Sequence, residues 1–304
     1  MIMIKAALAI AAMGVLAGET APLAERIVAG DAIIPVTLNG QPGHLRVDPG
    51  APGVPLVSAD YAGRAGLKGG MFSLGYGVGP IRAMQSTAVA KLDVGQGVFK
   101  RRIGWGKLDY APIADGTIGP ADLPEPVVRF VLRAAAAGER TVALPMIDGG
   151  GMFGGFFGLY AQIMVGGQPM RVRFDPYHPR TLATAGAALR LAAAQEGRLS
   201  GESVPTEIVF GIQRPVRTMN FARPLELGPL SIATLGVRTN DGGNATGIAE
   251  GPPEKADPDE VVVVARGKER DPNHDRLSLG ADQLERCSQI VFDKPAKQIR
   301  LTCR

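Results

Sequence analysis

Cysteine and histidine are scarce: two and three residues in a chain of 304. The two cysteines form no CxxC pair, so dithiol redox chemistry has no motif, and two isolated thiols make a poor metal site. His44, His178 and His274 are widely spaced and follow no ligand pattern. No Ser/His/Asp arrangement stands out either. The chain is therefore expected to use no metal and no cofactor. Charge of one sign is also lacking, since 33 Lys and Arg face 29 Asp and Glu for a net +4. The densest basic cluster, Lys100-Arg101-Arg102, has no aromatic residues interleaved. It reads as a solvated strand end, and no nucleic-acid partner is expected.

Long hydrophobic runs are missing as well. The one apolar run near the start, Ala6 to Leu16, is too short to span a bilayer. Lys5 precedes it and small residues surround its end, which is the pattern of a secretory signal over residues 1–17. A buried N-terminal helix is the alternative. The expected protein is exported to the periplasm or secreted, monomeric, and without a transmembrane segment after signal removal.

Glycine and proline are plentiful, at 41 and 24 residues. They favour many turns and short strands over long helices, so a mainly β fold is expected. Three short helices are predicted, over 58–65, 125–137 and 184–196. The last takes its Ala/Leu content as evidence, and the second its apolar residues Val127, Val128, Val131 and Leu132. Near the C-terminus, Gln289-Ile-Val-Phe-Asp293 and Gln298-Ile-Arg-Leu-Thr302 flank a turn at Lys294-Pro-Ala-Lys297. Cys287 and Cys303 bracket this hairpin, and an oxidising compartment would permit a disulfide between them.

The chain also repeats itself. Gly40, Gln41, Pro42, Arg46, Asp48 and Pro49 recur as Gly167, Gln168, Pro169, Arg173, Asp175 and Pro176. Each block reads as strand, turn and strand, and ends in an Asp. Three further matches follow in order. Pro80–Met84 pairs with Pro215–Met219, Leu92–Gly95 with Leu225–Gly228, and Ile118-Gly119 with Leu279-Gly280. Two homologous lobes about a pseudo-twofold axis are expected, over 26–145 and 159–304. A Gly-rich linker at 146–158 would join them. Residues 241–274 form a polar insert in the second lobe, read as a surface loop around one strand at 260–264.

A strand–turn–strand ending in Asp, a short helix, and later a hydrophobic-Gly pair together resemble a lobe of the aspartic peptidases, retropepsin-like and pepsin-like. The resemblance implies two β lobes, each giving one Asp to a shared cleft. Asp48 and Asp175 would be the catalytic pair. They would share one proton, one acting as base on a bridging water and the other donating to the carbonyl oxygen. Ile118-Gly119 and Leu279-Gly280 would thread beside the two Asp loops. Tyr76-Gly77-Val78-Gly79 resembles the hairpin tip that folds over the substrate in such enzymes; a Gly-rich surface turn is the other reading. With Gly50 and Tyr177, these residues would line the substrate site.

Both Asp motifs depart from the family pattern. Pro49 and Pro176 stand where a Thr or Ser would hydrogen-bond beneath the carboxylates. Tyr177 stands where a Gly is expected, so its ring would fill space or push the loop outward. Arg46 and Arg173, two residues before each Asp, lie beside the carboxylates on one reading and face the surface on the other. His178 reads as a polar loop residue. Three functions follow: an aspartic endopeptidase, an inactive protein that binds a peptide or protein in the same cleft, or an envelope scaffold using residues 241–274.

Overall fold

The computed structural model describes residues 25–149, 156–251 and 274–304. The expected signal at 1–17, Gly150, Gly151, Gly154 and Gly155 of the expected linker, and the expected strand at 260–264 lie outside the described residues.

The N-terminal half runs through β1 (Arg26–Val28), β2 (Ile33–Leu38), β3 (Gln41–Val47), β4 (Leu56–Val57) and α1 (Ala59–Arg64). It continues with β5 (Ser73–Val78), β6 (Ile81–Asp93), β7 (Val98–Gly106), β8 (Gly116–Ile118), β9 (Val127–Val131) and β10 (Arg140–Asp148). The C-terminal half holds β11 (Leu159–Val165), β12 (Gln168–Phe174), β13 (Leu182–Thr184), α2 (Ala185–Gln195) and β14 (Gly197–Val209). Then come β15 (Ile212–Leu227), β16 (Leu230–Arg238), β17 (Arg276–Leu279), α3 (Ala281–Leu284), β18 (Cys287–Asp293) and β19 (Gln298–Cys303). The fold is mainly β.

The two halves repeat strand for strand. The first sheet has the order β2-β3-β8-β4-β7-β6-β5. The second half contributes β11-β12-β17-β13-β16-β15-β14, the same order with every strand number raised by nine. Parallel pairing of β3 with β8 sets Val47 opposite Ile118; parallel pairing of β12 with β17 sets Phe174 opposite Leu279. The remaining strands form a shared floor, β1-β9-β18-β19-β10, which joins the second lobe through β10 and β11.

Period-2 patterning decides which side chains reach the cleft. On β12, Met170, Val172 and Phe174 are buried, while Arg171 and Arg173 point to the other face. On β3, Leu45 and Val47 are buried and Arg46 alternates with them. One contiguous core runs from Leu38, Leu45 and Ile118 through Phe130 to Phe174, Leu279 and Leu301. Phe292 of the floor meets Phe130 at 5.8 Å and Phe174 at 6.3 Å between ring centres, tying floor and second lobe together.

Two of the three predicted helices form. Ser58 caps α1 by accepting from the Tyr61 N–H at 3.1 Å, and α2 ends at Glu196 in the left-handed conformation. The helix predicted over 125–137 does not form. Val127–Val131 is instead strand β9, paired with β1 on one side and β18 on the other. Its β-branched residues fit a pleated surface, and two strand partners outweigh a weak helical pattern.

The expected loose insert is packed at its start. Ala245 and Ile248 are buried in the core, and Asp241 is buried between Arg214 and Arg238. The cysteines are register partners on β18 and β19 and form a disulfide. Among the described residues no helix is long and apolar enough to cross a membrane.

Candidate functional site

Each Asp opens a tight turn with Pro next to it, where the fixed φ of proline suits the second turn position. Ala51 N–H donates to Asp48 O at 3.1 Å, and His178 N–H to Asp175 O at 3.1 Å. Each Asp N–H is in turn anchored to its hydrophobic-Gly strand: Asp48 to Ile118 O at 3.0 Å, Asp175 to Leu279 O at 2.8 Å. The glycines that follow pass close to the Asp loops. A Cβ on Gly119 would lie 3.0 Å from Pro52 O, and one on Gly280 would lie 2.8 Å from His178 O. The two Asp loops are therefore equivalent in backbone geometry.

The carboxylates are not equivalent. Asp48 is only 4% exposed and accepts from Gly50 N–H at 2.7 Å. Burial pushes its pKa up to about 7 and the Asp175 charge pushes the same way, against Arg173, the Gly50 N–H and Arg46. Asp175 is held by Arg173, whose Nη2 lies 3.1 Å from Asp175 Oδ2.

Side chains outside the two Asp motifs, with Tyr177, make the links between lobes. The Arg173 guanidinium donates to Tyr110 Oη at 2.6 Å, and Tyr110 donates to Gly50 O at 3.2 Å. Tyr177 is 38% exposed and donates to Val47 O at 3.3 Å, directly before Asp48. Arg46 lies over the Tyr177 ring, 4.5 Å from its centre. Pro49 and Pro176 carry no hydroxyl, and two tyrosines and an arginine make these contacts. His178 bridges backbone, with Nδ1 2.7 Å from Arg180 O and Nε2 3.0 Å from Glu207 O.

Two hairpins overhang the cleft. In the first, β5–β6, Gly79 sits at the tip with φ +60°, and Tyr76 and Gly77 lie on the strand leading into it. In the second, β14–β15, the tip is Phe210-Gly211, both residues at positive φ. Positive φ at both central positions matches the right-handed twist of a two-residue hairpin. The hairpins meet: the Tyr76 and Phe210 rings stack 5.9 Å apart, and Tyr110 meets Phe210 edge-on at 5.4 Å. A Cβ on Gly79 would collide with Asp241 and sit 2.7 Å from Arg214 Nε, so the first tip rests against the second lobe.

Beneath the hairpins lies a cleft of about 730 Å³. Gly50, Tyr76, Gly77, Gly79, Tyr110 and Arg173 are among its lining residues. Asp48, Asp175 and Tyr177 are not; Asp175 borders a small adjoining cavity of about 20 Å³ that shares Arg173, Thr184, Arg238 and Arg276 with the cleft. Among the described residues no group of three or more His, Cys, Asp or Glu could hold a metal ion.

The sequence alone missed the second hairpin tip, Tyr110 as a cross-lobe link, and the cleft residues Arg82, Arg171, Arg238 and Arg276, while Arg173 does lie beside its carboxylate, as one of the two readings had it. The repeat was a usable signal for the hairpin, but its register was wrong there. Thr87 faces Gly104, which faces Leu56; Thr218 faces Gly236, which faces Leu182. Thr87 and Thr218 are thus equivalent, four residues away from the match of Pro80–Met84 with Pro215–Met219. A slip by an even number preserves strand alternation, so pattern alone cannot register it.

No family model and no curated protein matches the chain. Among solved structures it is similar to "EIAV protease complexed with the inhibitor HBY-793", at 14% identity over 30% of this chain and 82% of that one, with a TM-score of 0.25. A likeness of that size carries no argument. The mainly β, aspartic-protease-like plan of two lobes rests on the repeated strand order and the paired Asp loops.

Proposed function

We propose that this is an exported protein, periplasmic or secreted, which binds an extended peptide or protein segment between its lobes and does not hydrolyse it. It works as a monomer, with lobes over 26–145 and 159–304. The observation that carries the reading is the position of Arg173. Its guanidinium engages Asp175 Oδ2 at 3.1 Å and Tyr110 Oη at 2.6 Å. Hydrolysis by an Asp pair needs both carboxylates open to one water and to the scissile carbonyl. Here one carboxylate is bonded to a cation and the other is almost wholly buried.

The cleft itself suits an extended chain. Tyr76, Tyr110, Tyr160, Phe157 and Phe210 offer apolar faces. β5 and β14 are the edge strands of their lobes, and their unpaired backbone groups can add a strand.

A catalytic reading keeps one supporting observation, the Asp48 pKa raised to about 7 beside Asp175. Incubating the full chain with a random peptide library from about pH 3 to about pH 8 decides between the two. Peptides retained uncut by the parent, Asp48→Asn and Asp175→Asn alike support binding. Cleavage by the parent that both variants lose would sink the proposal.

A further inference from the structure

We infer that the ligand of this cleft is anionic, an extended peptide carrying carboxylate side chains, with one carboxylate received by Arg276 beside Tyr160. The inference rests on the peptide-binding reading and deepens it.

Five arginines line the cleft: Arg82, Arg171, Arg173, Arg238 and Arg276. Asp241 is the one acid among the described lining residues, and it is already engaged. Its Oδ1 takes Arg214 Nε at 2.7 Å and its Oδ2 takes Arg238 Nε at 2.7 Å. Asp175 answers Arg173 alone. Among the described residues this leaves Arg82 and Arg276 without a carboxylate, a local surplus of positive charge.

Packing does not explain this surplus. Arg171 and Arg276 are direct register partners on β12 and β17. Both guanidinium groups approach the Tyr160 ring, at 5.9 and 5.7 Å from its centre. Like charges placed opposite each other on paired strands work against the sheet. Arg276 has no carboxylate partner among the described residues. Burial lowers the Arg238 pKa against the pull of Asp241, and the nearby Arg276 and Arg173 charges lower it further, as mutual repulsion would.

Two donors also wait without acceptors. Tyr76 Oη and Arg173 Nε are buried, belong to cleft-lining residues, and have no hydrogen-bond partner among the described residues. Buried polar groups are ordinarily satisfied. A peptide supplies what is missing: main-chain carbonyls for the isolated donors and carboxylates for planar, fork-shaped arginines. The aromatic faces would pack its aliphatic stems.

The test uses the full chain and two copies of one random peptide library, the second with every Glu and Asp replaced by Gln and Asn. The acidic copy should bind at least ~10-fold more tightly, a difference of about 1.4 kcal/mol, and the preference should weaken as salt is raised. Arg276→Gln should remove most of that preference, and Arg276→Lys should keep part of it. An unchanged urea-unfolding midpoint reports that each variant is folded. Equal binding of both copies by the parent overturns the inference while peptide binding stands. Failure of both copies to bind removes both readings. Stronger displacement of the acidic peptides by inorganic phosphate than by free glutamate would also overturn it, by assigning the arginines to a phosphoryl group.

Discussion

Arg173 of the second lobe occupies the space beside Gly50 of the first. A Cβ built on Gly50 would collide with the Arg173 side chain and lie 2.7 Å from the carbonyl oxygen of Phe174. One of these neighbours is backbone and cannot turn aside. Gly50→Ala should therefore loosen the interface between the lobes, at a cost of about 1–3 kcal/mol. Urea unfolding of parent and variant measures it. An unchanged midpoint would mean that Arg173 and its loop yield freely.

Asp48 makes stability depend on pH. Its folded-state pKa, about 7, lies above the ordinary value of 3.8. The native protein therefore holds a proton that the unfolded chain releases, and stability falls as pH rises between about 4 and about 7. Buried Asp122, also raised to about 7 by burial against Arg101 and Lys294, adds a fall of the same sign. Asp48→Asn should be on the order of 2–4 kcal/mol more stable than the parent at about pH 8, and little changed at about pH 4. Equal effects at both pH values would refute a raised pKa.

Phe210 holds the two hairpins together through Tyr76 and Tyr110. Truncating a buried Phe commonly costs about 3–5 kcal/mol. At a hairpin tip that loss should appear as local opening rather than global unfolding. Phe210→Ala is expected to speed amide hydrogen exchange in β5, β6, β14 and β15 while the floor strands keep their protection. Uniform acceleration across the chain would contradict a separate opening of the hairpins.

The disulfide closes a loop of 16 residues in sequence separation between β18 and β19. Loops of this size lower the entropy of the unfolded chain by the equivalent of about 3 kcal/mol. Replacing Cys287 and Cys303 together by Ala should cost about 2–4 kcal/mol in denaturant unfolding. No loss of stability would mean that the hairpin is already ordered in the unfolded ensemble.

Some features were legible because they are local or because they recur. The Asp-Pro turns, the α1 and α2 helices and the terminal hairpin follow from turn chemistry, caps and alternation over short stretches. The repeat from Gly40–Pro49 to Gly167–Pro176 set two equivalent Asp loops, and both are anchored alike on Ile118 and Leu279. The segment 127–131 was misread because its apolar spacing fits both periods, and only its partners β1 and β18 choose the strand.

The sequence by itself determined a duplicated, turn-rich β chain with one Asp at the end of a strand in each copy, because strand period, turn residues and the repeat are properties of neighbours in the chain. The tertiary structure alone decided what those aspartates face. Arg173 reaches Asp175 and Tyr110, Tyr177 reaches across to Val47, and Asp48 is buried off the cleft. The contacts with Tyr110 and Val47 join residues 63 and 130 positions apart, whereas Arg173 and Asp175 are neighbours on one strand end; how far a carboxylate is desolvated depends on packing from the opposite lobe, which no local pattern encodes.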